Sequence, residues 1–230
     1  MQAILRMLGA LTQRNQNDQQ LQHAADNNMA VVWHQVWRAL LRGENERERR
    51  RPPLPIELVR LISRLAGLRV PDDSRSHIHS EEIVVRSDGP IATKLWFCTL
   101  PFDDFALAHV AAAQLTTTSH DQGWASESNP GSYTWFSWGV FPSRSEAEAR
   151  LKDESDAGPW RESHRNKAAN PAAQDLEGPV VGVEDDLWDK FTIGSVIAVR
   201  VRAQYPAWAN HAQHAEVKYW KWFEPVVDIA

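Results

Sequence analysis

Cysteine occurs once in the 230 residues, at Cys98, so no disulfide can form within the chain. A core-facing strand position accounts for Cys98 better than catalysis does, and such scarcity favours a reducing compartment. Long apolar runs are also missing: none approaches the roughly 18 residues that span a bilayer, and the first residues lack the order of a secretory leader. The cytoplasm or nucleus is the expected location, with no membrane partner. Positive charge is not in excess, since 25 Lys and Arg stand against 30 Asp and Glu for a net charge of -5. That leaves no overall pull toward nucleic acid. No Gly-x-Ser-x-Gly elbow, Cys-x-x-Cys pair, Gly-rich phosphate loop or dinucleotide fingerprint is present. No enzyme activity and no cofactor is therefore expected.

Tryptophan is what the chain has in abundance. Nine of its 11 tryptophans lie from Trp96 onward, where strand patterns dominate, so a tightly filled sandwich, a binding face, or both are expected. The N-terminal part, residues 1–69, reads as helical, with helices near 2–12, 30–42 and 55–66. Val32, Trp33, Val36, Trp37, Leu40 and Leu41 share one face of the second, and Gly43 is placed to end it. Glu44 to Arg51 is a mixed charge run with the composition of a solvated linker, and as a short basic cluster it also admits nuclear import or phosphate contact. In the third helix Pro55 stands at the start, Leu58, Leu61, Ile62 and Leu65 line one face, and Gly67 ends it.

Residues 70–230 read as strands separated by turns. Ile78 to Arg86 and Ile91 to Thr99 flank the turn Ser87-Asp88-Gly89-Pro90 and outline a hairpin. Ser195 to Tyr205 alternates clearly, with Ile197, Val199, Val201 and Ala203 on one face and Arg200 and Arg202 on the other. Ala215 to Phe223 reads as its antiparallel partner across a corner at Pro206 to His211. Ser143 to Pro159 has the Glu, Ala and Arg content of a short helix but almost no apolar face, so it reads as an exposed excursion, and Lys167 to Glu184 reads as a wandering surface segment. Without helices alternating between the strands, the pattern predicts a mainly β chain: an antiparallel β-sandwich or jelly roll with a short helical N-terminal segment.

The stretch from Leu115 to Val140 concentrates the chemistry. A Thr-rich strand runs into Ser119, His120, Asp121 and Gln122, and Tyr133, Trp135, Phe136 and Trp138 follow a Pro-Gly turn signal. Two readings stand side by side. In one, the polar side chains satisfy backbone groups where a strand turns sharply. In the other, His120, Asp121, Gln122, Trp124, Trp208 and Asn210 form a ligand-binding rim, with Trp stacking on a sugar's apolar face and amides holding its polar edge. His120 beside Asp121 also suggests a general base with an orienting carboxylate, although neighbours on an extended strand face opposite ways. His77 and His79, with His211 and His214, make a metal site conceivable but lack firm ligand spacing; none is expected.

Four segments carry a resemblance: TTSHDQGW, TWFSW, WRESHRN and the closing run from Val196 to Pro225. Together they resemble a widespread group of fungal proteins over roughly Leu95 to Pro225. The resemblance implies a galactose-binding-like jelly roll and no particular activity. Ala207 stands where that group often has Gly, which bears on any special backbone angle at the corner. Separately, Leu54 to Leu68 resembles the opening of an F-box, which implies adaptor docking in a ubiquitin ligase through Leu54, Leu58, Leu61 and Ile62. That match covers about fifteen residues, and a loop begins at Val70 where an F-box has further helices. The expected function is thus a non-enzymatic module that recognises a protein or glycan ligand. The alternatives are a ubiquitin-ligase substrate receptor and a hydrolase using His120 and Asp121.

Overall fold

The structure is a computed structural model that describes residues 31–46, 49–122, 131–152 and 158–224. The helix expected near 2–12 and the side chain of Trp124 lie outside them. The chain divides into two units, one from its start to Val70 joined by Trp222 onward, the other Pro71–Lys221. The chain's last segment thus returns to the helical unit, which reading in linear order placed with the strands.

In the first unit, helix α1 covers residues 31–42. The charge run expected as a linker instead forms an antiparallel ribbon of β1 (Glu44–Glu46) and β2 (Arg49–Arg51), Glu44 opposite Arg51. Helix α2 (Ile56–Leu65) follows. Trp37, Val59 and Phe223 form the buried centre, with Trp33, Leu40, Leu41, Leu54 and Ile56 packed around them. The Phe223 ring meets Trp33 edge-on at 5.5 Å. Both helices present less of their apolar stripes to this core than helical spacing suggests. On α1, Val32 and Val36 are exposed, and on α2 the buried residues are Val59 and Ser63 while Leu58, Leu61, Ile62 and Leu65 face outward. Ser63 is tolerated inside because its hydroxyl donates to the Val59 carbonyl one turn back, at 3.0 Å.

The second unit is a β-sandwich. Its strands are β3 (Arg69–Pro71, begun in the preceding residues), β4 (His77–His79), β5 (Ile83–Arg86), β6 (Ile91–Cys98), β7 (Val110–His120), β8 (Thr134–Phe141), β9 (Arg161–Arg165), β10 (Gln174–Glu177), β11 (Val181–Gly182), β12 (Val196–Gln204) and β13 (Ala209–Trp222). One sheet runs β10–β7–β13–β3, with β11 on β7 and β4 and β5 on β13; the other runs β6–β12–β8–β9. Two expected pairings are corrected here. β5 and β6 are not a hairpin, because β5 pairs with β13 and β6 with β12. Likewise β12 and β13 join opposite sheets across their corner. Turn residues show where a chain reverses; which sheet receives the next strand depends on distant partners.

Between the sheets, Leu115, Val217 and Tyr219 meet Phe136, Trp138, Ile197, Val199 and Val201 in one core. Strand β12 is buried on both faces. Its outer face carries Val196 and Ala198 against Phe141, Trp160 and Ala147, and its two arginines are covered by tryptophan. Arg200 lies 4.5 Å from the Trp160 ring and Arg202 4.9 Å from that of Trp135, so charge is buried against π faces.

Two short helices escape the sequence reading. α3 (Asp104–His109) is capped by Asp103, whose carboxylate accepts from the Ala106 N–H at 2.7 Å. α4 (Arg144–Ala149), within the supposed excursion, is capped by Ser143 and buries Ala147 on the outer sheet face. Strands β10 and β11 likewise lie within the segment read as wandering. Among the described residues no helix is long and apolar enough to cross a membrane.

Candidate functional site

The polar residues of the Ser-His-Asp-Gln stretch are sorted by strand alternation. On β7, Leu115, Thr117 and Ser119 face the opposing sheet, and Asp121 continues that face beyond the strand; His120 faces away. The inner face therefore turns from apolar to polar toward one end of the sandwich. The same change occurs on β8, where Thr134 follows the parity of Phe136, and on β13, where Asn210 ends the inner face that Ala212 and Ala215 begin. All five of Thr117, Ser119, Asp121, Thr134 and Asn210 are buried.

These groups are mutually satisfied. The Ser119 hydroxyl donates to Asn166 Oδ1 at 2.7 Å. Asn166 Nδ2 donates to Thr134 Oγ1 and to Asn210 Oδ1, each at 2.9 Å. Asn210 Nδ2 in turn donates to the carbonyls of Trp135 and Arg202 at 3.3 and 3.2 Å. Since the Ser119 proton is committed to Asn166, Thr117 Oγ1 donates to Ser119 Oγ, 3.1 Å away, and accepts from His164 Nε2 at 2.8 Å. That fixes the His164 tautomer and leaves Nδ1 to accept from Ser163 Oγ at 3.0 Å. Burial pushes the His164 imidazolium down to a pKa of about 4, so a neutral ring completes the chain of bonds. A network in which every member has a partner rigidifies what surrounds it.

Outside this seam lies a more accessible group. The rings of His120 and His211, opposite each other on β7 and β13, stack 4.6 Å apart at 6°. His120 Nδ1 donates to the Asp121 carbonyl at 2.6 Å. The His211 pKa is lowered, first by burial and then by His120 and Arg86. Gln122 Oε1 accepts from the Ala209 N–H at 3.4 Å. Nearby, Tyr133 stands edge-on to both Tyr205 and Trp208, at 4.9 and 5.0 Å.

The corner carrying Trp208 is held by backbone bonds to the turn before β6. Ala207 N–H donates to the Ser87 carbonyl and Tyr205 N–H to that of Pro90, both at 3.0 Å. Tyr205 and Ala207 take φ of 68° and 71°, so two non-glycine residues adopt the left-handed conformation at this corner.

Of the expected rim residues, His120 and Gln122 are half-buried and reachable, whereas Asp121, Asn210 and Trp208 are buried. Asp121 Oδ2 accepts from the Ala169 N–H at 2.9 Å. These three act on the surface by holding others in place. Trp124 lies in the part of the loop outside the described residues. Ser119 and His120 stand on opposite faces, so these two do not pair. Cys98 is half-buried, and burial raises its thiol pKa to about 11, which keeps it a protonated, weak nucleophile. His77 and His79 stack on Phe97 at 5.4 and 4.7 Å, while His214 Nδ1 contacts Ser80 Oγ at 3.2 Å. Among the described residues no three of His, Cys, Asp and Glu converge to hold a metal ion.

Sequence reasoning missed Thr117, Thr134, His164, Asn166 and His211 as members of this end. The polar turn of one alternating face, Leu115 to Asp121, was the available signal. No family model matches the chain, and no curated protein matches it.

Proposed function

We propose that the chain is a non-enzymatic recognition module whose sandwich end, around His120, Gln122, His211, Tyr133 and Tyr205, binds a glycan or a protein surface. The observation that carries this reading is the satisfied polar seam beneath that end. Burying so many polar side chains offers little net stability over an apolar core, yet it fixes the strand ends and loops above them. A surface held in advance loses less entropy on binding. Flat rings beside hydrogen-bonding groups suit a ligand with one apolar and one polar side. The commitment of His120 Nδ1 to a carbonyl and of Asp121 to a backbone N–H supports recognition over hydrolysis. In a binding screen against arrayed glycans and displayed peptides, His120→Ala and Tyr205→Ala should each lose the ligand selected by the native chain while keeping its melting temperature.

A second reading rests on α2. Leu58, Leu61, Ile62 and Leu65 repeat at three- and four-residue steps and are 46%, 50%, 42% and 81% exposed. An outward apolar stripe of that kind suits a partner's groove, and with Leu54 it supports adaptor docking in a ubiquitin ligase. Co-expression with the adaptor should give a complex that Leu58→Glu with Leu61→Glu abolishes. Failure to co-purify would end this reading.

A further inference from the structure

The outer face of the β10–β7–β13 sheet changes charge along its length. In its middle it carries carboxylates: Glu216 opposite Thr116 on β13, with Asp175 and Glu177 on β10 opposite Thr118 and Thr116. Lys218 offsets Glu177 alone, at 3.6 Å. At the end where β7 runs into Asp121 it carries bases instead. His120 and His211 face each other across β7 and β13, and on the far side of β13 strand β5 places Val84 opposite His211 and Arg86 opposite Ala209. Val85 is buried between the sheets, so Val84 and Arg86 alternate to the outer face. Three adjacent strands thus set Arg86, His211 and His120 side by side.

Among the described residues no carboxylate pairs with these three. Arg86 is exposed and makes no ion pair. Asp121 is buried on the inner face with the Ala169 N–H, and Asp175, one row along, accepts from Thr118 Oγ1 at 2.7 Å. Burial, His120 and Arg86 all lower the His211 pKa, so positive charge gathers here at a cost that a bound anion would relieve. With Nδ1 committed to the Asp121 carbonyl, a neutral His120 presents Nε2 as an acceptor, and protonation turns it into a donor. An anion therefore binds together with a proton. An extended acidic chain would run onto Glu216 and Asp175 and be repelled, whereas a single carboxylate at the sheet's end avoids them. Beside the bases lies the aromatic corner, tied to them by the bond from the Ala207 N–H to the Ser87 carbonyl at 3.0 Å, with Tyr205 46% exposed. A flat ring next to a charged spot suits a sugar ring that bears one carboxylate.

Resting on the reading of this end as a recognition surface, we infer that its ligand is an acidic sugar, a uronic or sialic acid whose carboxylate sits against Arg86, His211 and His120. The test is a titration of the full chain with glucuronic acid and N-acetylneuraminic acid, followed by amide chemical shifts at pH 5.5 and 7.5. Glucose and N-acetylglucosamine serve as neutral sugars and acetate as the bare anion. At least one acidic sugar should shift residues 84–86, 120–122 and 209–211 and bind about tenfold more tightly than the neutral sugars and acetate. Its affinity should also rise about tenfold from pH 7.5 to 5.5. Arg86→Gln should keep the native melting temperature and weaken that binding about tenfold. Failure of both acidic sugars to bind would overturn the inference, as would neutral sugars binding equally well or unchanged affinity in Arg86→Gln. Acetate matching the acidic sugar would mark an adventitious ion only and overturn it too. Each of these failures leaves the wider reading standing if the screen of glycans and peptides still yields a ligand lost in His120→Ala; a screen that yields none ends both.

Discussion

His164 joins the sheets through one neutral ring, and that makes it a source of acid sensitivity. Its pKa is about 4 in the fold against an ordinary value near 6.5. Above pH 6.5 the ring is neutral folded or unfolded and contributes no pH dependence. As pH falls from 6.5 to 4 only the unfolded chain takes the proton, so stability drops by about 3 kcal/mol and levels off below. Burial lowers His77, His79 and His211 in the same direction. Urea unfolding of the native chain and His164→Gln across that range separates them: the variant's curve should be flatter, and parallel curves would refute the assignment. Ala207 offers a second residue-scale prediction. At φ 71° its Cβ is strained, so Ala207→Gly should stabilise by about 0.5–1 kcal/mol, the relief of left-handed strain less the added freedom of the unfolded chain. A drop in melting temperature would argue against a strained corner. The sequence made the Ser-His-Asp-Gln motif conspicuous but not the division of labour within it. Asp121 and Asn210 look like any exposed polar residue until the opposing sheet covers them.

Elements were legible in proportion to how far their neighbours repeat a pattern. Strand β12 alternates over nine residues and was readable throughout, because its inner and outer faces pack against different things. Strand β10, with sequence QDLE, has weak strand formers and exists because β7 offers it an edge, in register from Gln174 opposite Ser119. Helices α3 and α4 span six residues each, too short for a period to declare itself. Strand β8 shows the reverse, a constraint visible only in three dimensions. A Cβ at Gly139 would meet the Pro159 carbonyl oxygen at 2.2 Å, so the segment before β9 crosses β8 where no side chain fits. Gly139→Ala should cost about 2–3 kcal/mol through the backbone shift it forces, measured by chemical denaturation. An unchanged midpoint would show that the crossing segment is free to move.

At the scale of the molecule, a mainly antiparallel β-sandwich was readable from turn-separated strands without intervening helices, while the pairing of β5 with β13 and the return of the chain's end to the helical unit were not. Both depend on contacts across more than a hundred residues. The outward facing of the α2 stripe was hidden for another reason: its leucines are equally suited to a core and to a partner, and helical spacing carries no information about which. The sandwich end around His120 and His211 is proposed as a surface held ready for a ligand. The most direct test is the binding screen of native chain, His120→Ala and Tyr205→Ala against glycans and peptides, with melting temperature and ligand integrity recorded alongside. An intact ligand should be bound by the native chain and lost in both variants at unchanged melting temperature. A ligand retained equally by both variants, or cleaved by the native chain, would contradict it.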